Sequence, residues 1–145
     1  MKRKLLPKLI TLIMCICALF CSCNSSEKIE YYSQKENYIS VTGTVSSINY
    51  NEETTALYIG FSELSSDFDD TCFKIVGENL EIVKVNGIDY KLKTGEQITF
   101  ITAPKYFGDG YVMPMVAISI SGENLLEFEE GYKNFLDWLS ECSKA

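Results

Sequence analysis

The side chains able to do chemistry in this chain are carboxylates, serines, lysines, cysteines and tyrosines, because histidine is missing and the only arginine is Arg3. Without imidazole there is neither the usual general base nor a histidine metal ligand. Beyond residue 3 no guanidinium can grip a phosphate in two-pronged fashion. Against 13 Lys and Arg stand 20 Asp and Glu, so the basic face that nucleic acid requires is not expected either. Glu63, Asp67, Asp69 and Asp70 crowd one stretch and offer hard oxygen ligands for Ca²⁺. They lack the glycine-centred spacing of a dedicated calcium loop, and a solvated loop is the expectation. Glycoside hydrolysis needs two carboxylates at a fixed separation in a cleft, and no such pair is legible. Ser33 with Lys35, and Ser40 with Lys28, fall near one another without an S-x-x-K setting. We therefore expect a chain that is not an enzyme and uses no metal or cofactor.

Residues 1–22 carry Lys2, Arg3, Lys4 and Lys8 and no acidic residue, followed by an apolar run from Leu9 through Cys21. The pattern reads as an export signal. The run falls well short of the roughly 20 residues that cross a bilayer as a helix. Its end, Phe20-Cys21-Ser22-Cys23, resembles the lipobox of bacterial lipoproteins, in which a small residue precedes the cysteine that is diacylated and becomes the mature N-terminus. Ser22 and Cys23 fit that pattern, whereas Phe20 and Cys21 depart from it. The resemblance implies lipid attachment at Cys23, an anchor in the cell membrane and a domain facing outside the cytoplasm. An ordinary cleaved signal, with its cysteines as apolar filler, is the competing reading. Removing residues 1–22 takes away four basic residues and no acidic one, which leaves a net charge of −11.

Residues 23–37 are polar and lack sustained periodicity, and we read them as a flexible tether. The 108 residues from Tyr38 to the end suffice for one domain. Ile39–Val45 alternates apolar and β-branched residues, and the phase changes past Ser46-Ser47, which predicts a strand with a bulge. Gly43 in its middle allows the sharp coiling of a small barrel. Leu57, Ile59 and Phe61 alternate in a second strand that forms a hairpin with the first, and Cys72–Val76 predicts a short third. Residues 78–86 suit either a helix or a strand, and we expect a short helix. Strands follow at Gln97–Thr102 and Val112–Ile120, with Pro114 at an edge or bulge. Leu125, Phe128, Tyr132, Phe135, Leu136 and Leu139 form one apolar stripe, which predicts a helix over roughly 124–142 that packs on its own barrel. Within it Gly131 lowers helix propensity by about 1 kcal/mol relative to alanine.

This order resembles the OB-fold, a five-stranded Greek-key barrel with a helix between its third and fourth strands. Val41–Val45 and Leu92–Phe100 carry the resemblance, and uncharacterised bacterial lipoproteins with small OB-like domains are the group it suggests. The expected class is thus mainly β, with a C-terminal amphipathic helix added to the barrel. In that fold ligands lie across the second and third strands, between the loops joining strands one to two and four to five. The resemblance thereby implies a site at Tyr58, Lys105, Tyr106, Phe107 and Tyr111, whose aromatics suit a sugar ring or a protein partner. The bland alternative is that Phe107 only plugs a barrel end. Cys72 and Cys142, once exported, are free to form a disulfide worth about 2–4 kcal/mol or to stay as thiols. The functional expectation is a membrane-anchored binding module for a protein or an envelope glycan. The alternative is an accessory subunit of a membrane complex, docking through its acidic surface and the helix that carries Trp138.

Overall fold

In the computed structural model, which describes residues 26–66, 72–105 and 112–144, the predicted first strand extends to 13 residues as β1 (Ile39–Asn51). Its first half pairs with β4 (Gln97–Thr102), Val41 opposite Phe100, and its second half with β2 (Ala56–Leu64), Ile48 opposite Ile59. Two register shifts between Thr44 and Ser47 mark the bulge expected there. A Cβ on Gly43 would stand 2.7 Å from Phe61 Cδ1 and 2.8 Å from the Glu63 carbonyl oxygen. Only glycine lets the neighbouring strand come that close.

β3 (Cys72–Ile75) runs antiparallel to β2 and parallel to β5 (Val112–Ile120), and β5 runs antiparallel to β4. The five strands close on themselves in the order β1-β2-β3-β5-β4, a ring compatible with the OB-like fold. Pro114 lies where β5 leaves β4: that ladder stops at Met115 beside a bulge, and Pro114 faces Lys74 of β3. Its missing N–H falls at an irregular junction, as expected. Between β3 and β4 the ambiguous stretch is helical as α2 (Gly77–Val83). Leu80 and Val83 of α2 join Val41, Leu57, Ile59, Ile75, Ile98 and Ile118 in the barrel core. Phe61, Phe73 and Phe100 fill its middle, with ring centroids 4.8–5.4 Å apart. Side chains therefore pack the interior, as in other barrels of this size.

The structure departs from the sequence reading at both ends. Ser121 and Gly122 both take positive φ, 52° and 82°, as a two-residue hairpin turn of type I′ requires. The chain then returns along β5 as β6 (Glu123–Leu126). Leu126 is buried in the barrel core with Leu125 packed against it, so Leu125 belongs to the sheet although its spacing suits the helical stripe. The terminal helix starts later, as α3 (Phe128–Lys144), and the Gly131 N–H donates to the Glu127 carbonyl. Gly131 is a seat rather than a flaw. A Cβ there would lie 1.9 Å from the Val116 carbonyl oxygen, so its absence lets α3 rest on the backbone of β5.

At the other end, residues 26–32 form a helix, α1, followed by a 3₁₀ turn at Lys35–Asn37. This part of the expected tether is packed against the domain. Tyr32 is 7% exposed and meets Phe135 edge-on at 5.1 Å. Tyr132 Oη donates to the Ser33 carbonyl at 2.6 Å, Tyr38 Oη to the Tyr32 carbonyl at 2.8 Å, and Asn37 Nδ2 to the Tyr31 carbonyl at 2.8 Å. Lys35 pairs with Glu129 at 2.7 Å and lies over the Phe128 and Tyr132 rings. The segment is polar on average, but its tyrosine rings supply an apolar surface that composition alone conceals.

Candidate functional site

Of the residues expected at a ligand site, Tyr58 and Lys105 are the two that the structure describes. Tyr58 on β2 is half-buried beside a second apolar cluster, formed outside the barrel by Tyr32, Ala56, Val76, Ala103, Val116, Phe135 and Leu139. Its hydroxyl lies 3.1 Å from Thr54 Oγ1 in the β1–β2 turn. That turn is itself fixed by Asn51 Oδ1, which accepts from the Glu53 and Thr54 N–H groups. Lys105, at the exit of β4, is exposed, and its Nζ stands 5.3 Å from the centre of the Tyr31 ring. The Tyr31 phenol is raised by burial, while a backbone hydrogen bond at Lys105 pulls its pKa the other way. On β3, Lys74 Nζ lies 5.2 Å above the Trp138 ring of α3. The face that the OB-fold resemblance assigns to ligand is thus engaged by α1 and α3. Tyr106, Phe107 and Tyr111 lie outside the described residues, as do Cys23, Asp67, Asp69 and Asp70.

The other expected groups stand apart. Cys72 and Cys142 are not joined in the structure, and both are free thiols. Cys72 Sγ, half-buried at the start of β3, points to the Ile59 carbonyl at 3.5 Å, whereas Cys142 is exposed on the last turns of α3. Burial pushes the Cys72 thiol up, against the smaller opposing effect of its backbone contacts at Phe73 and Ile59, which opposes formation of a reactive thiolate. Ser33 Oγ donates to the Glu30 carbonyl while Lys35 holds Glu129, so these two do not form a nucleophile and base. Among the described residues no cluster of three or more acidic or thiol groups is placed to hold a metal, and no helix is long and apolar enough to cross a membrane.

A different surface has the shape of a site. On the outer side of β1, β4 and β5, the ladders place Thr42 opposite Thr99 and Thr99 opposite Ser119, a row of three hydroxyls across three strands. Thr42 Oγ1 and Thr99 Oγ1 are 3.0 Å apart. Two open depressions of about 390 and 260 Å³ share Thr99 and Ser119. The larger runs over Thr42 and Gln97 to the Ser121-Gly122 turn, and the smaller runs past Ser40, Ile101 and Ala117 to Asn124 and Phe128. Together they form a shallow groove, lined by hydroxyls and amides with an aromatic ring at one end. Its carboxylates already hold local donors: Glu96 Oε2 accepts the Lys93 N–H at 2.9 Å, and Glu127 Oε1 accepts Asn124 Nδ2 at 2.8 Å. The sequence signal for this groove is the run of Ser and Thr at outward positions, Ser40 and Thr42, Thr99, and Ser119. It becomes legible only once the strand register aligns them.

Compared with known proteins, the sequence matches no family model and no curated protein.

Proposed function

We propose that this chain is a lipoprotein anchored at Cys23, facing outside the cytoplasm, whose barrel is a non-catalytic module that holds an envelope ligand. The observation that carries the binding role is the groove over β1, β4 and β5, since its volume falls in the range of small-molecule and oligomer sites. The charge pattern of residues 1–23 supports the anchor. Only Asn24 and Ser25 separate Cys23 from α1, a reach of at most roughly 10 Å for extended chain. Since α1 is bound to α3, an acyl anchor at Cys23 would hold the barrel against the membrane surface rather than on a long leash.

Two measurements test the reading. Mass spectrometry of the membrane fraction should find an acylated N-terminal Cys23, and Cys23→Ala should release or strand the chain; an unmodified N-terminus at another residue would sink the anchor. Affinity purification from native envelopes, for the wild type beside Thr99→Lys and beside Tyr106→Ala with Tyr111→Ala, then tests the module. A component lost with Thr99→Lys supports the groove, and one lost only with the tyrosine pair moves the site to the β4–β5 loop. A component kept by both variants supports the accessory-subunit role instead. Recovery of nothing by the wild type refutes the binding role.

A further inference from the structure

Deepening the binding role, and resting on it, we infer that the groove over β1, β4 and β5 takes a segment of neutral oligosaccharide, laid across the Thr42–Thr99–Ser119 row. An anionic ligand needs a cation; among the described residues no lysine lines either depression, and Lys35, which lies over Phe128 at one end, is paired with Glu129. A cationic ligand needs a carboxylate, yet Glu96 lines only the larger depression and Glu127 only the smaller, each with one oxygen already accepting a neighbouring donor, and the Thr99 and Ser119 shared by both depressions carry no charge. A peptide adding itself as a strand needs unpaired backbone groups at a sheet edge. β4 is paired on both sides, to β1 and to β5, so the floor of the groove offers side chains only.

What the floor does offer is a set of hydroxyls and amides that both donate and accept. Thr42 Oγ1 and Thr99 Oγ1 stand 3.0 Å apart, about the separation of two neighbouring hydroxyls on one pyranose ring, and Ser119 faces Thr99 one strand further on. Past the row the lining turns apolar, through Ile101 and Ala117 to Phe128, where the C–H face of a sugar can pack against the ring. Polar atoms along one stretch and an apolar end match a ligand that is hydroxylated at its edges and apolar on its faces. Both depressions are open to solvent along their described lining, which suits a segment within a longer chain.

The test uses the full acylated chain in detergent micelles. Neutral oligosaccharides of four to six units, both N-acetylhexosamine and plain hexose, are titrated by calorimetry beside a uronic acid oligomer of equal length. The double variant Thr99→Val, Ser119→Ala removes two hydroxyls with little change of shape, and its urea midpoint shows whether it is folded. We expect at least one neutral oligomer to bind, the uronic acid oligomer to bind at least ten-fold more weakly, and the double variant to lose ten-fold or more in affinity. Failure of every neutral oligomer, or equal binding to wild type and folded variant, overturns the inference. If native envelopes nonetheless yield a component that binds independently of Thr99 and Ser119, the module survives and only its proposed ligand falls. If they yield none, both fall together.

Discussion

Gly131→Ala separates a helix that merely contains a glycine from one that is seated by it. From helix propensity alone, the substitution should stabilise the chain by about 1 kcal/mol. The structure argues for the opposite sign. The added Cβ would meet the Val116 carbonyl oxygen at 1.9 Å, where real contacts do not fall below 3.0 Å, so α3 must withdraw from β5 by about 1 Å. Withdrawal opens the packing of Phe135 and Leu139, which are 2% and 8% exposed. Burying side chains of this size contributes about 1.5–3 kcal/mol each, and a gap of about 1 Å forfeits a quarter to a half of the contact well. The two together then lose about 1–3 kcal/mol. The hydrogen bond from Asn79 Nδ2 to the Gly131 carbonyl, 2.8 Å long and buried, weakens as well, for about 1 kcal/mol more.

Set against the gain in propensity, the net effect is a destabilisation of about 2 kcal/mol, or a fall in Tm of roughly 8 °C for a domain of this size. The assay is urea unfolding followed by fluorescence of Trp138, the only tryptophan, which stacks on Phe135 at 5.9 Å and so reports on α3 itself. A variant as stable as the wild type, or more so, would refute the seating of α3 on the β5 backbone.

Three further predictions rest on the ends of the chain. Tyr32→Ala should cost about 3 kcal/mol in the same urea assay, in line with other large-to-small changes in a packed cluster; no change would return residues 26–37 to the role of a loose tether. Burial first, then the nearby Tyr132, Tyr32 and Tyr31, raises the Tyr38 phenol far above its ordinary 10.0, and burial raises the Cys72 thiol above 9.0. The folded chain therefore keeps protons that the unfolded chain releases, so these groups leave stability intact below pH about 9 and erode it as pH rises further. Tyr38→Phe in a Cys72→Ser background should flatten the fall between about pH 9 and 11, and an unchanged slope would count against Tyr38. Finally, the denatured, unreduced acylated chain should titrate as two thiols, Cys72 and Cys142, and a reading of zero would mean that they are bridged.

What the sequence reveals, and what it hides, follows from how local each signal is. The bulge after Val45 and the place of Gly43 lie within a few residues of alternating pattern, and the barrel strands follow from such patterns. The β6 strand stays hidden because Leu125 satisfies the helical spacing; the opposing clue is the Ser121-Gly122 pair, which becomes decisive only once its positive φ values are known. Gly131 reads as a blemish in a helix because its partner, the Val116 carbonyl, is distant in sequence. The tyrosines of α1 hide within a polar segment, since average composition does not register where two rings point. The hydroxyl row is the least legible feature of all. Thr42 and Thr99 are 57 residues apart, and nothing but the register between β1 and β4 brings them side by side.

The position of the helices also bears on where a ligand can go. In the fold this chain resembles, ligands use the second and third strands and the two adjoining loops. Here Tyr58 is drawn into the cluster beneath α3, Lys74 is covered by Trp138, and Lys105 lies on Tyr31. Each of these groups would have to exchange an intramolecular aromatic contact for a ligand contact, and a lysine over a ring is worth about 0.5–1 kcal/mol even at an exposed site. The hydroxyl row over β1, β4 and β5 asks for no such exchange, since Thr99 is exposed and its hydroxyl meets only Thr42 among the hydrogen bonds described for it. A ligand there would displace water instead of a helix, and that difference favours the hydroxyl-lined face over the one that the OB-fold resemblance implies.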